Sequence, residues 1–172
     1  MSDRPIVLTG FMGSGKSTVG RFLAQQLGCP LIDLDGVVEA SAGCTINEIF
    51  AAEGEAAFRR LESDCLRQVL QQGRAVIATG GGAVISAENR RLMRSSGIVV
   101  NLDASLEQTI SRLRGSTHRP LFNGDNPEAR LAALLEDRRQ FYEDADIRID
   151  TDGKSVEDVA AEILRYVKGL DA

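Results

Sequence analysis

The sequence predicts an α/β fold: one domain over residues 1–172, with a five-stranded parallel sheet covered by helices on both faces. Short apolar runs recur along the chain with longer helix-period segments between them, the alternation expected of parallel strands joined by crossover helices. The runs are nearly continuous in apolar residues, which suits strands buried on both sides. A composition of 43% hydrophobic and 26% charged residues in 172 provides a core for one domain of ordinary size.

The elements follow in order. Ile6-Val7-Leu8 forms the first strand, and the next segment places Val19, Phe22, Leu23 and Leu27 on one helical face. Gly28 stops that helix and Pro30 lies just beyond, the usual punctuation of a C-terminus. Leu31-Ile32 is the second strand. Thr45-Ile46-Asn47-Glu48 matches a capping box and opens a helix, and Phe58, Leu61, Cys65 and Val69 define another that stops at Gly73. Ala75–Ala78 and Ile98–Val100 are strands, with Ser105-Leu106-Glu107-Gln108 capping the helix after the latter. Residues 115–125 are polar, flanked by glycine and broken by Pro120, so they read as a long loop of the kind that carries function. Asn126-Pro127 opens the next helix, Ile147–Ile149 is the fifth strand, and Ser155 caps a last helix through Val156, Val159, Ile163 and Val167 that ends at Gly169.

Charge and composition exclude several function classes. A net charge of −5 argues against a nucleic-acid partner held by phosphate neutralisation. No run of about eighteen apolar residues is present, and the N-terminus lacks a signal-peptide pattern, so no membrane partner and a cytoplasmic location are expected. Cys29, Cys44 and Cys65 are odd in number and lack C-x-x-C spacing; they read as reduced thiols packed in the core. No long exposed apolar helix stands out, which favours a monomer.

The strongest chemical signal is Gly10-Phe11-Met12-Gly13-Ser14-Gly15-Lys16-Ser17, a G-x-x-x-x-G-K-[ST] loop between a strand and an amphipathic helix. Glycines let backbone N–H groups wrap a phosphate chain at the positive end of the following helix. Lys16 would reach the outer phosphates, and the Ser17 hydroxyl would complete a Mg²⁺ shell. ATP-type nucleotide and Mg²⁺ are therefore the expected ligands. The chain has neither the Asn-Lys-x-Asp segment of a GTPase nor the Asp-Glu strand end of an ATPase motor; Asp103 comes nearest to the latter, and also fits a plain turn beside the Ser105 cap.

Leu31-Ile32-Asp33-Leu34-Asp35 ends in two carboxylates two residues apart, read as one face of a strand end. The pair fits two readings equally: a polar strand end with an Asp cap, or carboxylates dividing metal binding from hydroxyl activation. Gly80-Gly81-Gly82 follows a strand at the edge where α/β sheets bind ligands, and bare backbone permits close approach. Arg59, Arg60, Arg119 and Arg138 fit either solvated cations or ligands for an anion.

Together these residues resemble the shikimate kinase family over almost the whole chain. The resemblance rests on residues 10–18, Asp33-Leu34-Asp35, Phe58-Arg59-Arg60-Leu61-Glu62, Gly80-Gly81-Gly82, Arg119-Pro120-Leu121 and Arg138-x-x-x-Tyr142, all in the family's order and spacing. It implies a nucleoside monophosphate kinase fold with strand order 2-3-1-4-5, and transfer of the ATP γ-phosphoryl group to the 3-hydroxyl of shikimate. It also implies a lid over about residues 112–125. In that family's terms Lys16, Asp35 and Arg119 are catalytic. Gly13, Ser14, Gly15, Lys16, Ser17, Thr18, Arg112 and Arg119 bind ATP, with Arg112 stacked on adenine. Asp35, Arg59, Gly80, Gly81, Gly82 and Arg138 bind shikimate, Arg59 and Arg138 clamping its carboxylate. Ser17 ligates Mg²⁺ directly and Asp33 through water. Phe50 and Phe58 supply apolar wall or ordinary core. The segment 150–155 matches only loosely and assigns no adenine contact. The rival readings are a kinase of the same fold acting on gluconate or a nucleoside monophosphate, and a nucleotide sensor that transfers nothing.

Overall fold

A computed structural model describes residues 3–115 and 125–170. Five strands, β1 (Ile6–Thr9), β2 (Leu31–Asp33), β3 (Val76–Ala78), β4 (Ile98–Asp103) and β5 (Ile147–Asp150), form one sheet in the order β2-β3-β1-β4-β5. Every pairing is parallel, so all the C-terminal strand ends lie along one edge. Central β1 divides its side chains between the two faces. Val7 points into a core shared with α2 (Leu34–Ala42), α3 (Ile46–Glu53), α4 (Glu55–Leu70), α5 (Ala87–Ser96), α6 (Leu106–Arg114) and α7 (Pro127–Tyr142). Ile6 and Leu8 point to the other face, covered by α1 (Lys16–Leu27) and α8 (Val156–Leu170). These strand residues are almost completely buried, as their unbroken apolar runs require.

Local chemistry sets the helix boundaries. Gly28 ends α1 at φ 60 and returns its N–H to Ala24 and Gln25. Thr45 and Glu48 form the expected reciprocal capping box, Ser105 accepts the Gln108 N–H, and Asn126 caps α7 ahead of Pro127. Ser155 and Asp158 exchange bonds at the start of α8.

Three details correct the sequence reading. A helix, α2, starts directly at Leu34 with Asp33 as its cap, because the Asp33 side chain accepts the Asp35 N–H at 3.3 Å. Asp35 therefore sits on a helix and does not share a strand face with Asp33. The helix α4 ends at Leu70, three residues before Gly73, with Gln71 as its cap. Gly169 lies within α8, which runs to Leu170, since glycine costs a helix little in its frayed last turn.

Candidate active site

A cleft of about 540 Å³ opens at the C-terminal edge of the sheet beside central β1. It is lined by Met12, Gly13, Gly15, Lys16, Ser17, Thr18, Asp33, Asp35, Thr79, Gly80, Gly81 and Arg112. This is the point where strand connections diverge to either side of β1, the usual ligand crevice of an open α/β sheet.

The loop from Gly10 to α1 forms one wall. Gly15 caps α1 at φ 92, a conformation that costs a glycine little and turns the first-turn N–H groups toward the cleft. The Lys16 ammonium donates to the carbonyls of Gly10 at 2.6 Å and Phe11 at 3.0 Å, folding back over the loop that it would share with a phosphate chain. Ser17 and Thr18 stand exposed on the first turn, whereas Ser14 is buried beneath the loop. Arg112 reaches across from α6 to donate to the Gly13 carbonyl at 2.9 Å. A smaller hollow of about 250 Å³ continues past Gly15, Thr18 and Arg112 to Thr151, Lys154, Ser155 and Val156. Sequence reasoning assigned nothing in that last segment.

The opposite wall is built from distant segments. Asp35 is half-buried; burial pushes its carboxyl up, the neighbouring Asp33 adds to the rise, and Lys16 and Arg59 oppose it. A carboxylate so placed is a better proton acceptor than an exposed one. Two of the three glycines are there for space. A Cβ at Gly80 would stand 2.8 Å from Asp35 Oδ1, and one at Gly82 would collide with the Arg59 guanidinium. The 3₁₀ turn Ala83–Ile85 after them is anchored by α5. There Asn89 Nδ2 donates to the Ala83 carbonyl at 3.0 Å and Arg90 Nη1 to the Val84 carbonyl at 2.7 Å.

Arg59 and Arg60 are neighbours in sequence and strangers in space. Arg59 turns inward and donates to Glu62 Oε1 at 2.9 Å, while Arg60 is exposed. Glu62 is 1% exposed; burial raises its carboxyl and Arg59 pulls it back down. Sequence reasoning gave Glu62 no role, although its i,i+3 spacing to Arg59 is a signal for such a pair. Phe58 belongs to the core, and Phe50, exposed at the rim, lies on it at 4.9 Å. From α7, Arg138 comes within reach of Gly81.

The remaining candidates fall elsewhere. Asp103 is the last residue of β4, paired with Arg148 at 3.0 Å, and lines a separate hollow, not the cleft of the phosphate loop. Arg119 lies outside the described residues, as do His118 and most of the lid segment 112–125. Among the described residues no group of three His, Cys, Asp or Glu side chains could hold a metal ion, and no helix is long and apolar enough to cross a membrane.

A family model described as shikimate kinase matches residues 12–168, which takes in both walls of the cleft. The chain belongs to the shikimate kinase family. The shikimate kinase of Geobacter metallireducens is 54% identical over 168 residues, covering 98% of this chain and 94% of that protein. That of Symbiobacterium thermophilum is 51% identical, covering 95% of each. The structure of shikimate kinase from Acinetobacter baumannii in complex with shikimate superposes with a TM-score of 0.90 at 40% identity, over 96% of this chain and 93% of that one. A gluconokinase from Sinorhizobium meliloti reaches a TM-score of 0.60 at 21% identity over 98% of this chain and 93% of that one, and so shares the fold alone. The kinase is thus an ATP-dependent enzyme of the shikimate kinase family, and neither a sensor nor a sugar-acid kinase accounts for these likenesses.

Proposed function

We propose that this cleft transfers the ATP γ-phosphoryl group to the 3-hydroxyl of shikimate, giving shikimate 3-phosphate and ADP. The observation that carries the reading is the meeting, in one cleft, of the Lys16 phosphate loop with Asp35, Gly80 and Gly81, with Arg59 beside Gly82 in a neighbouring hollow and Arg138 within reach of Gly81. An acceptor that is both a carboxylate and a polyol fits that wall. Arg59 and Arg138 offer planar, charge-assisted donors to a carboxylate, while Asp35 accepts from hydroxyls.

The roles follow from position. Lys16 and the α1 N-terminus hold the β- and γ-phosphates and neutralise charge on the transferring group. Asp35, with its raised carboxyl, orients the acceptor hydroxyl and takes its proton as the new P–O bond forms. Gly80, Gly81 and Gly82 admit the acceptor against bare backbone, and Phe50 with Phe58 forms an apolar side. Arg119, outside the described residues, would add a further cation at the phosphates. The hollow bounded by Arg112, Thr151, Lys154, Ser155 and Val156 is of a size and place to take the adenine, with Arg112 over its face.

Mg²⁺ fits this wall. Ser17 stands exposed at the loop's end and Asp33 lies in the same cleft with its carboxylate exposed. Ser17 would ligate the ion directly and Asp33 through water, the remaining positions going to phosphate oxygens and water, the sparse protein shell that Mg²⁺ prefers. When bound, it would supply positive charge to offset that of the phosphate chain. The functional unit is proposed to be a monomer, supported by a cleft whose described walls all come from one chain. A cytoplasmic location is supported by three free thiols.

The test is a coupled assay of ADP formation with Mg²⁺ and ATP, comparing shikimate with gluconate, nucleoside monophosphates and no acceptor. Stimulation by shikimate alone is expected. Stimulation by another acceptor would keep the phosphate loop's role and overturn the acceptor wall.

A further inference from the structure

Tyr142 falls outside every role assigned above, yet it is 4% exposed and touches three parts of the site. Its hydroxyl donates to the Gly81 carbonyl at 2.6 Å. Arg138, one helical turn earlier on α7, brings its guanidinium beside the same phenol, its positive charge opposing the rise that burial gives the phenol's pKa. Its ring meets Phe11 of the phosphate loop edge-on, with centroids 6.5 Å apart and planes at 77°. A Cβ at Gly81 would lie 3.6 Å from Arg138 Nη1, Tyr142 Oη and the Met12 nitrogen alike, so these groups converge on one α-carbon.

The direction of the Tyr142 bond is forced. A guanidinium only donates, and a phenol has one proton. That proton goes to Gly81, so the oxygen's lone pairs are left for a cation, and Arg138 is the cation beside it. Burial pushes the phenol's pKa up, which keeps the proton in place through the neutral range. In a trans peptide the Gly81 carbonyl and the Gly82 N–H point in opposite directions. Fixing the carbonyl on Tyr142 therefore turns the Gly82 N–H away from α7, and the electron-rich phenol oxygen draws the neighbouring Arg138 guanidinium to the same place.

We propose that Tyr142 is a positioning residue for the acceptor: its hydroxyl couples the Arg138 guanidinium to the Gly81–Gly82 peptide and presets both before the acceptor's carboxylate arrives. The inference rests on the reading of this wall as the acceptor site. A residue that served only the core would act through its ring and be indifferent to its hydroxyl.

Tyr142→Phe keeps the ring and removes the hydroxyl. The KM for shikimate should rise about tenfold, the upper end of the loss expected for one hydrogen bond, while the KM for ATP stays within about twofold. The pH profile of kcat/KM should keep its shape, because the phenol passes no proton to substrate. In an Arg138→Ala background the same change should add less than about twofold, since a residue acting through Arg138 has nothing left to position. Melting temperatures of all four proteins, and shikimate affinity by calorimetry, separate these effects from loss of fold. An unchanged KM for shikimate in Tyr142→Phe, full additivity with Arg138→Ala, or an equal rise in the KM for ATP would each overturn the proposal. Wild-type protein that bound no shikimate would instead overturn the reading of the wall and the proposal with it.

Discussion

The two walls of the cleft are built in opposite ways. The phosphate wall is one continuous stretch from Gly10 to Thr18, made of backbone N–H groups and one lysine at the start of α1. The wall proposed for the acceptor takes Asp35 from α2, Arg59 and Glu62 from α4, the glycines after β3, and Arg138 with Tyr142 from α7. The first owes its shape to local backbone geometry and the second to packing among elements far apart in sequence. A local wall tolerates change around it, whereas an assembled wall depends on every contact that holds its pieces together.

Substitutions test that contrast, beginning with the largest effect. Lys16→Ala should lower turnover on the order of a thousandfold or more, as loss of a preorganised charge at the transferring group does; near-normal turnover in the coupled assay would break the assignment of this wall. Asp35→Asn should lower turnover by about 10²–10⁴-fold, the range for a proton-accepting group, with ATP binding by calorimetry preserved. Loss of nucleotide binding would move Asp35 to the other wall.

The same variant gives a second readout with a definite sign. Burial and Asp33 raise the Asp35 carboxyl in the folded state, so the folded protein holds that proton more tightly than the unfolded chain does. Ionised Asp35 then detracts from stability above its folded pKa, and the deficit fades as pH falls toward the ordinary carboxylate range. Asp35→Asn should therefore raise the melting temperature at pH 8 by about 2 °C, with the gain shrinking as the solution is acidified. A variant less stable than wild type at pH 8 would show that the carboxylate is structural. This trade of stability for activity is common at sites that bury charge for a purpose.

Smaller effects sharpen the acceptor wall. Arg138→Ala should raise the KM for shikimate by about 10–100-fold through the lost charge-assisted bonds and leave ATP affinity intact; loss of ATP affinity would mean that α7 serves the nucleotide. Arg60→Ala should change neither KM nor turnover by more than about twofold, as an exposed surface change does. A clear kinetic loss there would contradict the inward and outward division of the two adjacent arginines.

Much of this was legible in the residues alone. The five apolar runs, the Gly28 and Asn126 caps, and the Gly10–Ser17 motif each depend on a few consecutive side chains, and the structure places them as read, whereas Gly73 and Gly169 do not end the helices they were read to stop. The strand order and the acceptor roles came through resemblance, because parallel pairing links segments whose separation in sequence carries no register. The helix α2 was missed because one capping bond from Asp33 starts it immediately after a strand, where alternation suggested that the strand continued. Glu62 was passed over because a lone glutamate on a helix is ordinarily solvated, and only the closing of α4 onto the triple glycine buries it.

The sequence by itself determined an α/β chain with a phosphate-binding loop, since glycine placement, hydrophobic period and a lysine at a helix start act through covalent neighbours. Only the tertiary structure decided which of two adjacent arginines turns inward onto Glu62, that Asp35 leaves the strand for a helix, and that the Tyr142 hydroxyl holds the Gly81 carbonyl. Those choices depend on which side chains lose water when distant helices pack, and that loss is fixed by the assembled core and not by any single segment.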